Sequence, residues 1–598
     1  MFEMSSEYKS QIRKAVRNYS YVRIRFQLTD PDADADAEVL NSGQTAWSEN
    51  PNVLDTKRVS SRYATLEQNR WILNGIMRQL PEDEPYEYQG FVGSQVSDRD
   101  GNLAEPTAIT VKFDNGPYSF RGLTLQFDTV CTDYPAEIQI QASLGESIVY
   151  DRIFLVDSVD FAVSEPIPGN EAFADKLEIT FLKTSLPHRR IRLEGLVLGL
   201  CKTFDEGSIV SSEWKRTNDL MNTVLPDESM IYTFYDPKRE YNPDNPEGIW
   251  VFVESGQQVK FQYGYQLDDG SVEWMPGSTY FVDGSPTVES GSVLSKVTFN
   301  TVSRLQSLTD IYDEGVYAPE GRSLYELAES LLQWAGVVDG NGNPLYILCD
   351  ALKKYTVTTP LPVQQVRELL QLIANAGMCI LHTDRDGKIV FEPRHSEEYV
   401  FQYTGNDVKT KAPTVKKYPY LKTLTVMAAT YTPANTEEEL TSIDITDATE
   451  TEYLVEFDAA TDVKVTAADG LTVNNIIGAY ARRARVVVTG TGRLAVIGKK
   501  LNESSYMAQK TCNPVGEDCT LENQFIGSQA HAVEYLRWMA DILTKRNVYT
   551  FEDRGFPEVD AADLVTLDTA FSEGRAAQIT AITVKYNGTL SGNVEVLS

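Results

Sequence analysis

Positive charge and histidine are what this sequence is short of. Lys and Arg number 54 against 86 Asp and Glu, a formal net charge of −32. A duplex-binding protein needs a cationic face to displace counterions, so no nucleic-acid binding is expected. The densest basic cluster, Arg482, Arg483 and Arg485, falls in a β-patterned stretch and reads as a solvated strand or interface face. Four histidines are present, His188, His382, His395 and His531, with no two at a metal-ligand spacing. Cys379 and His382 lie three apart on an expected strand and should point to opposite faces, so no metal site is expected. His188 sits in a Pro-His-Arg-Arg turn, and His531 opens a helix, where a polar surface residue is expected.

The six cysteines (Cys131, Cys201, Cys349, Cys379, Cys512, Cys519) are scattered, with no Cys-x-x-Cys pair, which suits folding in a reducing cytoplasm. Cys512 and Cys519 bracket Asn-Pro-Val-Gly-Glu-Asp and read as a loop with two thiols, a disulfide after release from the cell being the alternative. No run approaches the roughly 18 apolar residues of a membrane span. Met1-Phe-Glu-Met-Ser-Ser-Glu7 carries acids and no apolar leader region, so no secretory signal is expected. Gly-x-Ser-x-Gly and a phosphate-binding loop are both missing, and Thr489-Gly-Thr-Gly492 reads as a hairpin turn. A glycosidase needs two carboxylates about 5 to 9.5 Å apart, and the sequence singles out no such pair among its many acids. No catalytic residue, cofactor or metal is therefore assigned, and the chain is expected not to be an enzyme.

What is present is β-pattern. At 598 residues the chain exceeds a single hydrophobic core, and roughly three to five domains are expected. Residues 1–54 read as a short helix, a strand and an acidic loop. In the strand, Val22, Ile24, Phe26 and Leu28 alternate with Arg23, Arg25 and Gln27. In Asp30-Pro-Asp-Ala-Asp-Ala-Asp-Ala-Glu38 a carboxylate recurs at every second position. It reads as a solvated loop; calcium binding by residues 30–38 is the alternative, though the glycine and distal glutamate of an EF-hand loop are missing.

Residues 55–205 carry alternating strands at Leu123–Phe127, Ala136–Ala142, Lys176–Leu182 and Arg190–Leu193, which predicts an antiparallel sandwich or jelly roll. Residues 206–320 continue the pattern, with a hairpin at Asp269-Gly270. Residues 321–410 form an α+β module. Its first helix starts at the capping box Ser323-Leu-Tyr-Glu326 and stops at Gly336; its second buries Val366, Leu369, Leu370 and Ile373 and ends at Gly377. Residues 411–525 return to β-sandwich character. Residues 526–598 open with a helix capped by Ser528, burying Val533, Leu536, Met539 and Leu543, and close with strands. The fold class is mainly β and multi-domain, with small α+β modules: a β-barrel or sandwich body with a jelly roll near its start.

Several segments resemble the baseplate hub and tail-tip proteins of tailed phages and prophages. They are Ser229-Met-Ile-Tyr-Thr-Phe-Tyr235 with Asp236–Trp250, Gln257–Gly264, the helix Arg322–Gly336, Leu370–Gly377 with the Asp384–Gly387 turn, Tyr549–Pro557, Asp563–Leu567 and Tyr586–Gly592. The resemblance covers residues 206–598. It implies a homotrimeric ring in the virion, assembled in the host cytoplasm and bound to tail-tube, distal-tail and tape-measure proteins. Residues 55–202 resemble a discoidin or carbohydrate-binding jelly roll through Gly122–Phe127, Tyr134-Pro135 and Pro187-His-Arg-Arg-Ile-Arg-Leu193. That implies weak contact with a host cell-surface glycan, with Trp71, Tyr86, Tyr88 and Tyr118 as candidate binding residues because aromatic faces stack on sugars. The alternative function is a carbohydrate-binding adhesin or receptor-binding fibre.

Overall fold

The computed structural model describes all residues except 1, 47, 52–62, 65–66, 69, 71–77, 80–89, 129–130, 164–166, 170–171, 246–247, 292–293, 339–342, 395–398, 406, 408–412 and 570–571. Strands hold 54 % of the chain and helices 11 %, so the protein is mainly β and multi-domain.

Fourteen strands join into one main sheet. In chain order they are β1 (Ser20–Thr29), β2 (Gly199–Phe204), β3 (Ile209–Thr217), β4 (Glu228–Tyr235), β5 (Gln258–Gln266), β6 (Val272–Val282), β7 (Thr287–Ser290) and β8 (Ser295–Ser303), then β9 (Phe401–Tyr403), β10 (Thr414–Lys417), β11 (Asn547–Asp553), β12 (Leu564–Thr569), β13 (Ser572–Tyr586) and β14 (Leu590–Leu597). They pair in the order β2-β1-β5-β6-β8-β4-β3-β13-β14-β11-β10, with β7 beside β8 and β9 joined through β12 to β13. The seam between early and late sequence is β3 against β13, where Trp214 faces Val584. Val22, Ile24, Phe26 and Leu28 all point into the core, as their alternation requires. They share one hydrophobic cluster with Trp214, Tyr232, Phe299, Phe551 and Val596, so strands hundreds of residues apart pack on common ground.

Nine strands between Ala37 and Val197 form a separate antiparallel sandwich. A five-stranded sheet (Ala37–Asn41, Asn102–Phe113, Lys176–Thr184, Pro135–Leu144, Ser147–Leu155) faces a four-stranded one (Asp160–Val163, Leu123–Phe127, Arg192–Val197, Phe91–Val92). Ile109, Leu125, Phe127, Ile140, Ile179 and Phe181 fill the space between them. The sandwich interrupts the main sheet between two strands that are themselves neighbours. Thr29 on β1 stands opposite Gly199 on β2. A Cβ on Gly199 would lie 2.0 Å from the Leu28 carbonyl oxygen, so only glycine fits that return point.

Three helices share a second core. Leu324–Trp334 begins with the expected capping box: Ser323 Oγ accepts from the Glu326 amide, and the Glu326 carboxylate accepts from the Ser323 amide. Val366–Ala376 buries Val366, Leu369, Leu370 and Ile373. Gln529–Leu543, capped by Ser528, shares that core and reaches the end of the second helix, where His531 meets the Ala376 carbonyl and Tyr535 meets Asn375. A six-stranded sheet of residues 421–522 is built around one 29-residue strand, Arg483–Thr511.

Four local expectations are corrected. The acidic stretch is a short helix, Pro31–Asp36, with Asp34 turned inward and Asp36 accepting from the Asn115 and Gly116 amides at 2.7 and 3.1 Å. Thr489–Gly492 makes no hairpin turn. It lies inside the long strand, where Gly490 and Gly492 take positive φ and the pairing register slips. His531 is buried rather than exposed, and Val533 is exposed rather than buried. The phase of that helix is set by a polar anchor that hydropathy counting passes over: His531 Nε2 lies 2.8 Å from the Ala376 carbonyl oxygen. Arg483 and Arg485 lie on a strand, as expected, and both are half-buried and pair with buried Asp313, at 3.2 and 2.7 Å.

Candidate functional site

The main sheet and the α+β module meet at a buried junction of four charged residues. Arg216 enters from β3 and Glu228 from β4, Arg385 comes from the turn after the strand Cys379–Thr383, and Asp560 from the loop before β12. Arg216 Nη1 donates to Asp560 Oδ1 at 2.6 Å and Nη2 to Glu228 Oε1 at 3.0 Å. Arg385 Nη2 donates to the same Asp560 oxygen at 2.8 Å and to the Pro557 carbonyl at 2.8 Å. The Thr383 amide donates to Glu228 at 3.0 Å, and Arg216 donates to the Thr383 carbonyl. Trp214 packs beneath: its Nε1 donates to Tyr280 Oη at 2.8 Å, and the Arg385 guanidinium lies 4.8 Å from a Trp214 ring centroid.

Burial alone would raise the Asp560 carboxyl, yet Arg385 and Arg216 outweigh it and hold the group below the usual carboxylate range. The charges balance two against two, and the geometry fixes where the module sits on the sheet. This is a structural lock.

A second joint ties residues 2–17 to the loop 554–558. Tyr8 Oη donates to Glu558 Oε2 at 3.1 Å, and the Phe2 amide donates to the Glu558 carbonyl at 2.8 Å. Burial pushes the Glu558 carboxyl up to about 7, against the opposing pull of its own backbone amide, the Tyr8 hydrogen bond and Arg17.

The sandwich holds its own charged cluster. Arg70, Arg189 and Arg192 meet Glu67, Asp128 and Asp133, all buried. Arg70 Nη1 lies 3.1 Å from Asp133, Arg189 Nε 3.0 Å from Asp133, and Arg192 Nη1 2.9 Å from Glu67. The resemblance segment Pro187–Leu193 thus supplies internal ion-pair arginines. Of the candidate glycan residues, Trp71, Tyr86 and Tyr88 lie outside the described residues. Tyr118 is half-buried and sets its ring edge against Phe113 at 5.4 Å, on the flank of the sandwich core.

A groove of about 800 Å³ opens between β3, β13, β14, the helix Gln529–Leu543 and the six-stranded sheet. Met221, Leu225, Tyr418, Tyr420 and Leu543 line it, and Asp219, Glu517 and Glu595 rim it. Among the described residues no group of three or more His, Cys, Asp or Glu is placed to hold a metal ion. Among the described residues no helix is long and apolar enough to cross a membrane. Cys512 and Cys519 carry free thiols. What sequence reasoning missed entirely is the Cys349–Cys379 pair, whose Sγ atoms lie 3.2 Å apart.

No family model matches this chain, and no curated protein does. Solved structures do. The 43 kDa tail protein of prophage MuSo2 from Shewanella oneidensis is 11 % identical, matched over 66 % of this chain and 95 % of that one, with a TM-score of 0.38. A tail protein from Neisseria meningitidis is 8 % identical over 66 % and 94 %, with a TM-score of 0.39. A prophage tail protein from Listeria monocytogenes is 10 % identical over 66 % and 91 %, with a TM-score of 0.33.

Proposed function

We propose that this chain is a virion structural protein at the distal end of a phage-like tail. Three copies form a hub or tail-tip ring joining the tail tube to the parts that contact the host. The observation that carries this reading is where the hub-like segments fall. Ser229–Tyr235 lies on β4, Gln257–Gly264 on β5, Tyr549–Pro557 on β11 and beyond, Asp563–Leu567 on β12, and Tyr586–Gly592 spans the β13–β14 turn. All belong to one sheet. The remaining two, Arg322–Gly336 and Leu370–Gly377, are helices of the module pinned to that sheet by Arg216, Arg385 and Asp560. Segments weak singly and hundreds of residues apart converge on one body.

A ring subunit must pass force between tube and tip without shearing. A wide sheet with sequence-distant strands, locked by buried ion pairs, meets that need. The role is structural rather than catalytic, and the partners are tube, distal-tail and tape-measure proteins. The sandwich, inserted where β1 meets β2, is an accessory domain for weak contact with a surface glycan. The test is the mass of the full chain in solution, joined to negative-stain images. A closed ring of three 66.9 kDa chains is expected. A monomer or an elongated rod overturns the hub and favours the adhesin.

A further inference from the structure

Cys349 and Cys379 are 30 residues apart in sequence and approach from opposite sides of one small sheet. The strands run in the order Tyr346–Leu348, Ile389–Pro393, Cys379–Thr383. Leu348 pairs with Phe391, and Cys379 pairs with Pro393. Both thiols therefore reach the same end of the sheet, across its central strand, and their sulfurs meet at 3.2 Å. Cys349 is half-buried and Cys379 is buried, so Cys349 is the more accessible of the two.

The local chemistry suits that order of events. Cys349 precedes the 3-10 turn Asp350–Lys354. The contact with Cys379 draws the Cys349 thiol below its usual range, and the amides of Leu352 and Ala351 add to this against the effect of burial. The same contact and burial push the Cys379 thiol up. Elsewhere, burial lifts the Cys131 thiol to about 11, which leaves it unreactive at neutral pH.

We propose that Cys349 and Cys379 are a redox-modification site, closing to a disulfide when the folded protein meets a low-molecular-weight disulfide such as oxidised glutathione. The Cys349 thiolate attacks one glutathione sulfur, the S–S bond breaks, and glutathione leaves as thiolate. Cys379 then gives up its proton, its sulfur attacks the Cys349 sulfur of the mixed disulfide, and the second glutathione departs. Two protein thiols are oxidised and one small disulfide is reduced to two thiols. The bond closes a loop around the helix Val366–Ala376 and staples the α+β module after the protein leaves a reducing cytoplasm.

The full chain is incubated with oxidised glutathione at neutral pH, quenched with iodoacetamide under denaturing conditions, digested with trypsin and analysed by mass spectrometry. A linked pair of peptides, 323–353 with 368–385, is expected, together with a rise in Tm that dithiothreitol reverses. Cys349→Ser abolishes both the link and the Tm shift. Because Ser at the half-buried position keeps the fold, its unchanged reduced-state Tm serves as the control. A stable glutathione adduct on Cys349 without the link, unreacted thiols at both positions, or an equal Tm shift in Cys349→Ser overturns the proposal.

Discussion

The sandwich and the main sheet each bury a cluster of arginines and carboxylates, but the two clusters bind different lengths of chain together. In the sandwich, Glu67, Arg70, Asp128, Asp133, Arg189 and Arg192 belong to one domain and tie its own loops. At the junction, Arg216 and Asp560 are 344 residues apart, and Arg385 comes from a third region. One network finishes a domain; the other holds domains in place. Burying paired charge is a poor source of net stability, since desolvation offsets most of the attraction. Its use here is positional: the pairs penalise every arrangement that leaves a guanidinium buried alone.

That contrast can be broken at its strongest point first. Asp560→Ala leaves Arg216 and Arg385 buried without the carboxylate they share. A loss of about 3 to 5 kcal/mol is expected in urea unfolding of the main body, while the sandwich transition stays put. A smaller effect comes from the joint between residues 2–17 and the loop 554–558. Glu558 titrates near 7 in the folded protein against its usual 4.5, so the native state holds a proton that the unfolded chain has released. Its contribution is fully present below about pH 4.5 and is lost as pH rises through 7, amounting to at most about 3 kcal/mol. Glu558→Gln should flatten stability across that window, read as denaturation midpoints at pH 5 and pH 8. In the sandwich, Glu67→Gln weakens the hold on Arg192 and Arg70, and about 2 kcal/mol is expected from the sandwich transition alone. Smallest is the cap of the helix Leu324–Trp334: Ser323→Ala should cost about 1 kcal/mol, seen as a modest drop in the thermal midpoint.

Much of this architecture is legible where a signal is local. The alternation of Val22 to Leu28, the Ser323–Glu326 box and the Asp269-Gly270 turn each depend on neighbours within a few residues, and the structure contains all three. What stayed hidden depends on partners far along the chain. His531 reads as a surface residue because its helix alone gives it no partner; Tyr355, stacked on its ring at 4.0 Å, comes from another segment. Asp34 looks solvated in an acidic run until packing turns it inward. Thr489–Gly492 carries turn residues, yet strands on both sides recruit it into a bulged pairing. The Arg216–Asp560 lock has no sequence signature, since any of the chain's many acids could have answered that arginine. Cys349 and Cys379 looked scattered for the same reason.

Strands from residues 20–29 and 199–597 share one main sheet, and the sandwich is inserted between two of its paired strands. Because Thr29 and Gly199 face each other on antiparallel strands, a two-residue Asn-Gly turn can join them directly. The most direct measurement is thermal unfolding and solution mass of that shortened chain beside the full one. A soluble protein with a cooperative transition and the same number of copies per assembly as the parent is expected. An insoluble or molten product, or one that loses the parent's assembly state, would contradict it.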